Sequence, residues 1–236
     1  RFMDSTYVAA FVTRKDPRLF AIATQTPKAE QEGKAIDDFT AYDGGDPAVP
    51  YSLVNDKATA GLCSKPTERY YKNATNEPMI LMGYTEQQLI LAEGVVRGWI
   101  NGDDKTYYES AVKASFEFYR TYATDVAAYL SEDAAETYLQ GSEVVYDSTL
   151  STEQKIERIA MQKYLPTFLQ GGVWLPYYEA LRTGYPDFRR ASGVQLPYRW
   201  MYPQSEYNNN AANVQAALDS QFGGGDKTTD KPWWLQ

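Results

Sequence analysis

Apolar positions recur with a clear helical period only in the middle of the chain. Leu89, Ala92, Val96 and Ile100, with Glu93 on the same stripe, follow the spacing that lines one face of a helix. Ahead of them Thr85-Glu86-Gln87-Gln88 has the form of a capping box. There the Thr85 hydroxyl accepts from the Gln88 amide and the Gln88 side chain reaches back. Asn101-Gly102 is read as its end, because both residues tolerate positive φ. A second helix is predicted over about 104–123, with Tyr108, Ala111, Val112, Ser115, Phe118, Tyr119 and Tyr122 on one stripe. The short connection predicts an antiparallel helical hairpin. A third helix starts at a second capping box, Ser151-Thr152-Glu153-Gln154, and runs through Ile156, Ile159, Ala160 and Lys163 to about Leu169. Pro166 inside it predicts a kink or an early stop. Gly171-Gly172 breaks the pattern, and a short helix from Val173 to Arg182 stops at Gly184, with Pro186 beyond.

The two ends of the chain lack that period. Tyr7-Val8-Ala9-Ala10-Phe11-Val12 is too short to separate strand from helical turn, and Asp16-Pro17-Arg18 is a turn signal. From Thr24 to Pro78 the chain carries Pro27, Pro47, Pro50, Pro66 and Pro78 and the pair Gly44-Gly45, with no sustained period. So long an irregular stretch in a compact domain is usually functional or disordered. Its aromatic residues Phe39, Tyr42, Tyr51, Tyr70 and Tyr71 argue against disorder. The last 50 residues or so hold Pro197, Pro203, Asn208-Asn209-Asn210, a helical patch at Asn213–Leu218, Gly223-Gly224-Gly225 and Trp233-Trp234. The expected fold class is mainly α, with helical hairpins, long irregular loops and little β. The hairpin at 85–123 loosely resembles a tetratricopeptide unit. The expected organisation is one domain, 1–236: a loop-rich ligand-side segment 1–80, a helical core 81–190 and an irregular segment 191–236.

Composition removes several functional classes. Lys and Arg number 23 against 31 Asp and Glu, a net charge of 23 − 31 = −8, so nucleic acid gains no counterion-release attraction here. The absence of histidine excludes Ser-His-Asp triads, Cys-His dyads and His-ligated metals. Cys63 stands alone, without an internal disulfide partner. The sequence has no run of 18 apolar residues of the kind that spans a bilayer, and Asp4, Arg14, Lys15 and Asp16 interrupt any leader-like stretch at residues 1–20.

Local chemistry is sparse. Glu93 on the apolar stripe reads as a buried, partnered carboxylate or an edge residue paired with Arg97, and Gly94 as a site of close approach by a neighbouring helix. Glycoside hydrolysis needs two facing carboxylates, and no spacing singles out such a pair. Asn101-Gly102-Asp103-Asp104 lacks the ligand spacing of a calcium loop, and Asn73-Ala74-Thr75 is a chance-frequent glycosylation pattern. No catalytic residue, metal or cofactor is expected. What stands out is tyrosine, 20 residues among 14% aromatics. A flat apolar face with a polar tip suits a surface that meets polar ligands. The candidate ligand-binding residues are therefore the loop tyrosines Tyr42, Tyr51, Tyr70 and Tyr71, in a segment that also carries Asp43, Asp46, Asn55 and Asn73.

Four stretches in register resemble the SusD/RagB family of nutrient-binding outer-membrane lipoproteins of Bacteroidetes. They are Tyr84–Glu93 with Arg97-Gly98-Trp99; Gln162-Lys163-Tyr164 through Gln170-Gly171-Gly172 and Trp174 to Arg182-Thr183-Gly184-Tyr185-Pro186; Tyr202–Asn210; and Trp233-Trp234. Asp16-Pro17-Arg18-Leu19 resembles the turn that opens the family's C-terminal half. The resemblance implies tetratricopeptide-like hairpins supporting irregular ligand loops, and a lid on a TonB-dependent transporter barrel. It also implies cell-surface anchoring through a lipidated N-terminal Cys that this chain does not contain. The chain is then expected to be a C-terminal piece whose missing half would leave an apolar face open, with Arg1 not a native start. Arg182–Pro186 is expected to be a helix stop with anchoring contacts and Tyr202–Asn210 a pinned crossover. The function expected is non-catalytic capture of glycan. Peptide capture within the same family, and a helical scaffold that binds only protein, are the alternatives.

Overall fold

The computed structural model describes residues 2–170, 172 and 174–235. Arg1, Gln236, the expected break at Gly171 and the expected helix start at Val173 lie outside the described residues. Helices dominate, and regular β structure among the described residues is limited to isolated bridges pairing Asp4 with Gly45 and Ala23 with Pro66.

The run at Tyr7–Val12 is helical: α1 spans Ser5–Arg14. The Asp4 carboxylate decides it by accepting from the Tyr7 amide at 2.9 Å, a side-chain N-cap. Lys15 ends the helix in left-handed backbone, φ 52°. Three short helices follow, α2 (Leu19–Ile22), α3 (Pro27–Gln31) and α4 (Tyr51–Thr59). Residues 24–78 are thus less irregular than the sequence pattern implies. The nine residues of α4 escape the pattern because none of them is buried, so no apolar stripe was ever required.

The central helices are α5 (Tyr84–Val96) and α6 (Asp104–Tyr122), which pack on each other more extensively than any other pair and form the expected hairpin. Three local details differ from expectation. The N-cap of α5 is Gly83, so Thr85 lies inside the helix and its capping box does not form. The helix ends at Val96, with Gly98 at φ 73°. Gly94 admits no neighbouring helix. The chain's own Ile100 folds back onto it, and a Cβ there would stand 3.2 Å from Ile100 Cδ1. On α6, Phe116 is buried where the stripe placed Phe118, and Tyr122 is exposed. Asp103 caps α6, accepting from the Lys105 and Thr106 amides.

Next come α7 (Glu132–Leu139), α8 (Thr152–Tyr164) and α9 (Leu175–Thr183). The capping box at Ser151 forms in full, with Gln154 N to Ser151 Oγ at 3.2 Å and Ser151 N to Gln154 Oε1 at 2.9 Å. Pro166 stops α8 early, and the backbone tightens into a 3₁₀ turn over Leu165–Thr167. Gly184, at φ 83°, ends α9. The Thr183 hydroxyl donates to Glu179 O and accepts from the Tyr185 amide, so this stretch is a helix stop with anchoring contacts.

By contacts the chain forms two compact units, residues 1–189 and 190–236. The core of the first gathers Tyr7, Phe11, Leu19, Ile22, Leu89, Tyr108, Phe116, Tyr119, Ile159 and Leu165. The second contains α10 (Gln204–Asn209) and α11 (Ala211–Phe222), the latter ended by Gly223 at φ 68°. Asp226 ties this unit together: Arg199 donates to Oδ1, while the Tyr202 amide and the Tyr207 hydroxyl donate to Oδ2. The stretch expected as a pinned crossover is pinned by that carboxylate and largely helical.

Candidate functional site

The four candidate tyrosines occupy two environments. Tyr51, at the start of α4, and Tyr71 are 75% and 66% exposed, open to any ligand. Tyr42 is buried, its ring stacks on Phe20 and its hydroxyl donates to Ile36 O at 2.7 Å. Burial pushes the Tyr42 hydroxyl pKa up, so it stays protonated. Tyr70 is mostly covered, its ring edge-on to Phe168 and its hydroxyl buried without a partner. The four therefore do not form one surface. Tyr42 and Tyr70 stand one layer behind two concave surfaces, through Phe20 and Phe168.

The first cleft lies at the N-terminal end of α1 and encloses about 550 Å³, within the range of small-ligand sites. Tyr7, Tyr164, Phe168 and Phe188 wall it. Tyr7 stacks on Phe168 at 5.6 Å and meets Tyr164 edge-on at 5.1 Å, while Tyr164 meets Phe188 at 6.0 Å. Helix α1 fixes Tyr7, whose hydroxyl donates to Leu165 O at 2.7 Å. That bond uses the carbonyl at the early stop Pro166 imposes on α8. Asp4, Asp187 and Arg189 supply polar groups, Arg189 donating two bonds of 2.7 Å to Asp46. The bonding from Arg189, followed by that from the Ala48 amide, holds the Asp46 carboxyl down to about 2. Leu169, at the rim, has φ 53°, a conformation a branched side chain rarely adopts.

A second cleft, about 620 Å³, lies where the C-terminal ends of α1 and α7 meet, lined by Phe20, Phe39, Tyr129 and polar side chains. A third, about 290 Å³ and mostly apolar, runs between α5, α6, α8 and α9 beside exposed Leu81, Tyr84 and Ile90.

Glu93 sits near that third cleft and does not act as a free acid. It accepts from Arg97 Nε at 2.6 Å, Lys163 Nζ at 3.1 Å and Arg182 Nη2 at 2.8 Å. Burial alone would raise its pKa, but the bonds from Arg182 and Arg97 and the charge of Lys163 outweigh it and hold the carboxyl at about 2. Of the two structural expectations, Glu93 is the buried, partnered carboxylate, with Arg97 among its partners. Asp104 is likewise occupied, by Tyr146 and Lys155. Among the described residues no group of three or more acidic or cysteine side chains gathers as a metal site. Nor is any helix among them long and apolar enough to cross a membrane. The clefts were missed from sequence because their walls come from segments far apart in the chain. The one available signal was Phe168, Phe188 and Tyr164 near Gly and Pro breaks.

The largely helical body is an architecture shared with solved proteins. A family model described as starch-binding and associating with the outer membrane matches residues 2–203, and the chain belongs to this SusD-like family. A Bacteroides vulgatus ATCC 8482 protein, described as of the outer membrane and involved in nutrient binding, is 76% identical with TM-score 0.97, matched over 100% of this chain and 51% of its own. A SusD homologue of Bacteroides fragilis NCTC 9343 is 51% identical with TM-score 0.94, over 100% and 52%. A chitin-binding protein is 25% identical with TM-score 0.78, over 100% and 50%. The chain thus spans about half the length of these structures. No curated protein matches it significantly.

Proposed function

We propose that the protein captures glycan at the outer-membrane surface, without chemical turnover, for import by a TonB-dependent transporter. The observation that carries this is the first cleft. Four aromatic side chains converge on it from α1, the end of α8 and the 186–189 segment, beside a few fixed polar groups. Ring faces pack on the C–H faces of sugars, and carboxylates accept from their hydroxyls. Tyr51 and Tyr71 extend the same chemistry over the loop surface. The family description and the nutrient- and chitin-binding relatives support a saccharide over other ligands. The occupation of Glu93, Asp104 and Asp226 by cations and hydroxyls supports holding rather than cleaving. Surface anchoring by a lipidated cysteine outside these residues, and pairing with the transporter barrel, belong to the same proposal and rest on the family membership.

A glycan array followed by calorimetry tests it. Binding to an oligosaccharide without product release is expected. Phe188→Ala should weaken binding roughly ten-fold, equivalent to about 1.4 kcal/mol of lost ring contact. Silence across the array, with binding to peptides instead, would transfer the cleft to peptide capture. Silence with both would leave the scaffold reading.

A further inference from the structure

We infer that the second cleft, at the C-terminal ends of α1 and α7, is a separate binding site for a neutral, hydroxyl-rich saccharide, with Lys15 as its polar contact. The inference rests on the saccharide reading above and adds a site to it. Phe39 and Tyr129 are half-buried along the cleft, and Phe20 packs against both at 5.1 and 5.4 Å, backed by the buried ring of Tyr42. That is an aromatic floor held rigid from behind.

The rim around it is polar, and part of it has no hydrogen-bond partner among the described residues. The exposed side chains of Lys15, Asp37, Thr137 and Gln140 line the cleft, and none makes a hydrogen bond or ion pair within the described residues. They include a donor-only ammonium, an acceptor-only carboxylate and groups that do both, the set that a ring of hydroxyls satisfies. Charge nearly cancels: Arg14 and Lys15 face Asp37 and Glu143, the last paired with Arg158 at 3.5 Å. Such a balance favours a neutral ligand over a strongly anionic or cationic one. The first cleft differs, because its arginine is already taken by Asp46.

Lys15 is the telling residue. It caps α1 in left-handed backbone, φ 52°, where glycine would carry no strain. Its ammonium is held 5.2 Å from the Phe39 ring centroid, at the mouth of the cleft. A lysine that fits its backbone position poorly yet places its head over the aromatic floor is better explained by the head than by the cap.

Calorimetric titration of the whole chain with maltoheptaose and with chitohexaose tests this, alongside Phe188→Ala, Lys15→Gly and Tyr129→Ala. Two saccharides per chain are expected for at least one probe. Lys15→Gly should abolish the second while its melting temperature stays level or rises, a combination that a merely structural lysine would not give. Tyr129→Ala should lose the same site, and Phe188→Ala should weaken only the other. A stoichiometry of one that survives both Lys15→Gly and Tyr129→Ala overturns the second site and leaves the first intact. Loss of all binding in Phe188→Ala does the same. Silence of both probes overturns the second site, while the proposed function still answers to the wider array.

Discussion

Two carboxylates organise this protein in different ways. Asp16 lies wholly inside, its side chain and that of Arg18 both sealed from water. It accepts from Arg18 Nε at 2.9 Å and Nη2 at 2.6 Å, while Nη2 also donates to Tyr138 and Gln162 and Nη1 donates to Ser115. The rings of Phe116 and Tyr138 stand 5.0 and 5.1 Å from the guanidinium carbon. One arginine thereby joins the corner after α1 to α6, α7 and α8. Glu93 gathers three cations instead, and Arg97 and Arg182 remain partly in water, 30% and 38% exposed. The buried centre is a single pair with every partner in place. The other is redundant and wet at its edge. A sealed pair carries a large desolvation penalty, so losing one partner is costly, whereas a redundant one relaxes into solvent.

The largest effect should come from breaking the sealed pair. Asp16→Asn leaves a buried guanidinium uncompensated and should cost about 3–5 kcal/mol in denaturant unfolding. Combining it with Arg18→Met should cost less than the two single changes summed, because the double variant leaves no orphaned charge. Strict additivity would mean that the pair is not the hub the geometry describes.

Glu93→Gln should cost less, about 1–2 kcal/mol, since Arg97 and Arg182 can turn to water. Its pH signature sharpens the contrast. The folded carboxyl, at about 2, lies below its ordinary 4.5, so its contribution is complete above pH 4.5 and disappears as pH falls towards 2. Acid unfolding curves of the parent and Glu93→Gln should therefore converge across that window. Parallel curves would count against the ion-pair network.

Legibility from sequence followed the same physical divide. Helices that bury a periodic face, such as α6 and α8, could be read directly, and Glu93 was marked by sitting on an apolar stripe. Helix α4 could not, because it buries nothing, and α1 was ambiguous until its cap at Asp4 was seen. Asp16-Pro17-Arg18 was legible as a turn, but nothing local shows that both charges point inward, Arg18 reaching Ser115 and Gln162, 97 and 144 residues away. The clefts share that non-local origin. Of the four candidate tyrosines, the sequence could mark the segment and not which rings face water, since that depends on whether Phe20 and Phe168 cover them.

The smallest effect separates two capping motifs that look alike on paper. Ser151 satisfies its box, with both reciprocal bonds formed, so Ser151→Ala should cost about 1 kcal/mol. Thr85 offers the same hydroxyl followed by the same glutamine three residues on, yet the backbone enters α5 two residues earlier, with Gly83 as its N-cap. Its side chain has no orphan amide to serve there, and Thr85→Ala should change stability by less than about 0.5 kcal/mol. Thermal melts of the two variants measure the difference directly. A cost at Thr85 equal to that at Ser151 would mean that α5 starts at Thr85 in solution, and the hairpin's entry would have to be redrawn.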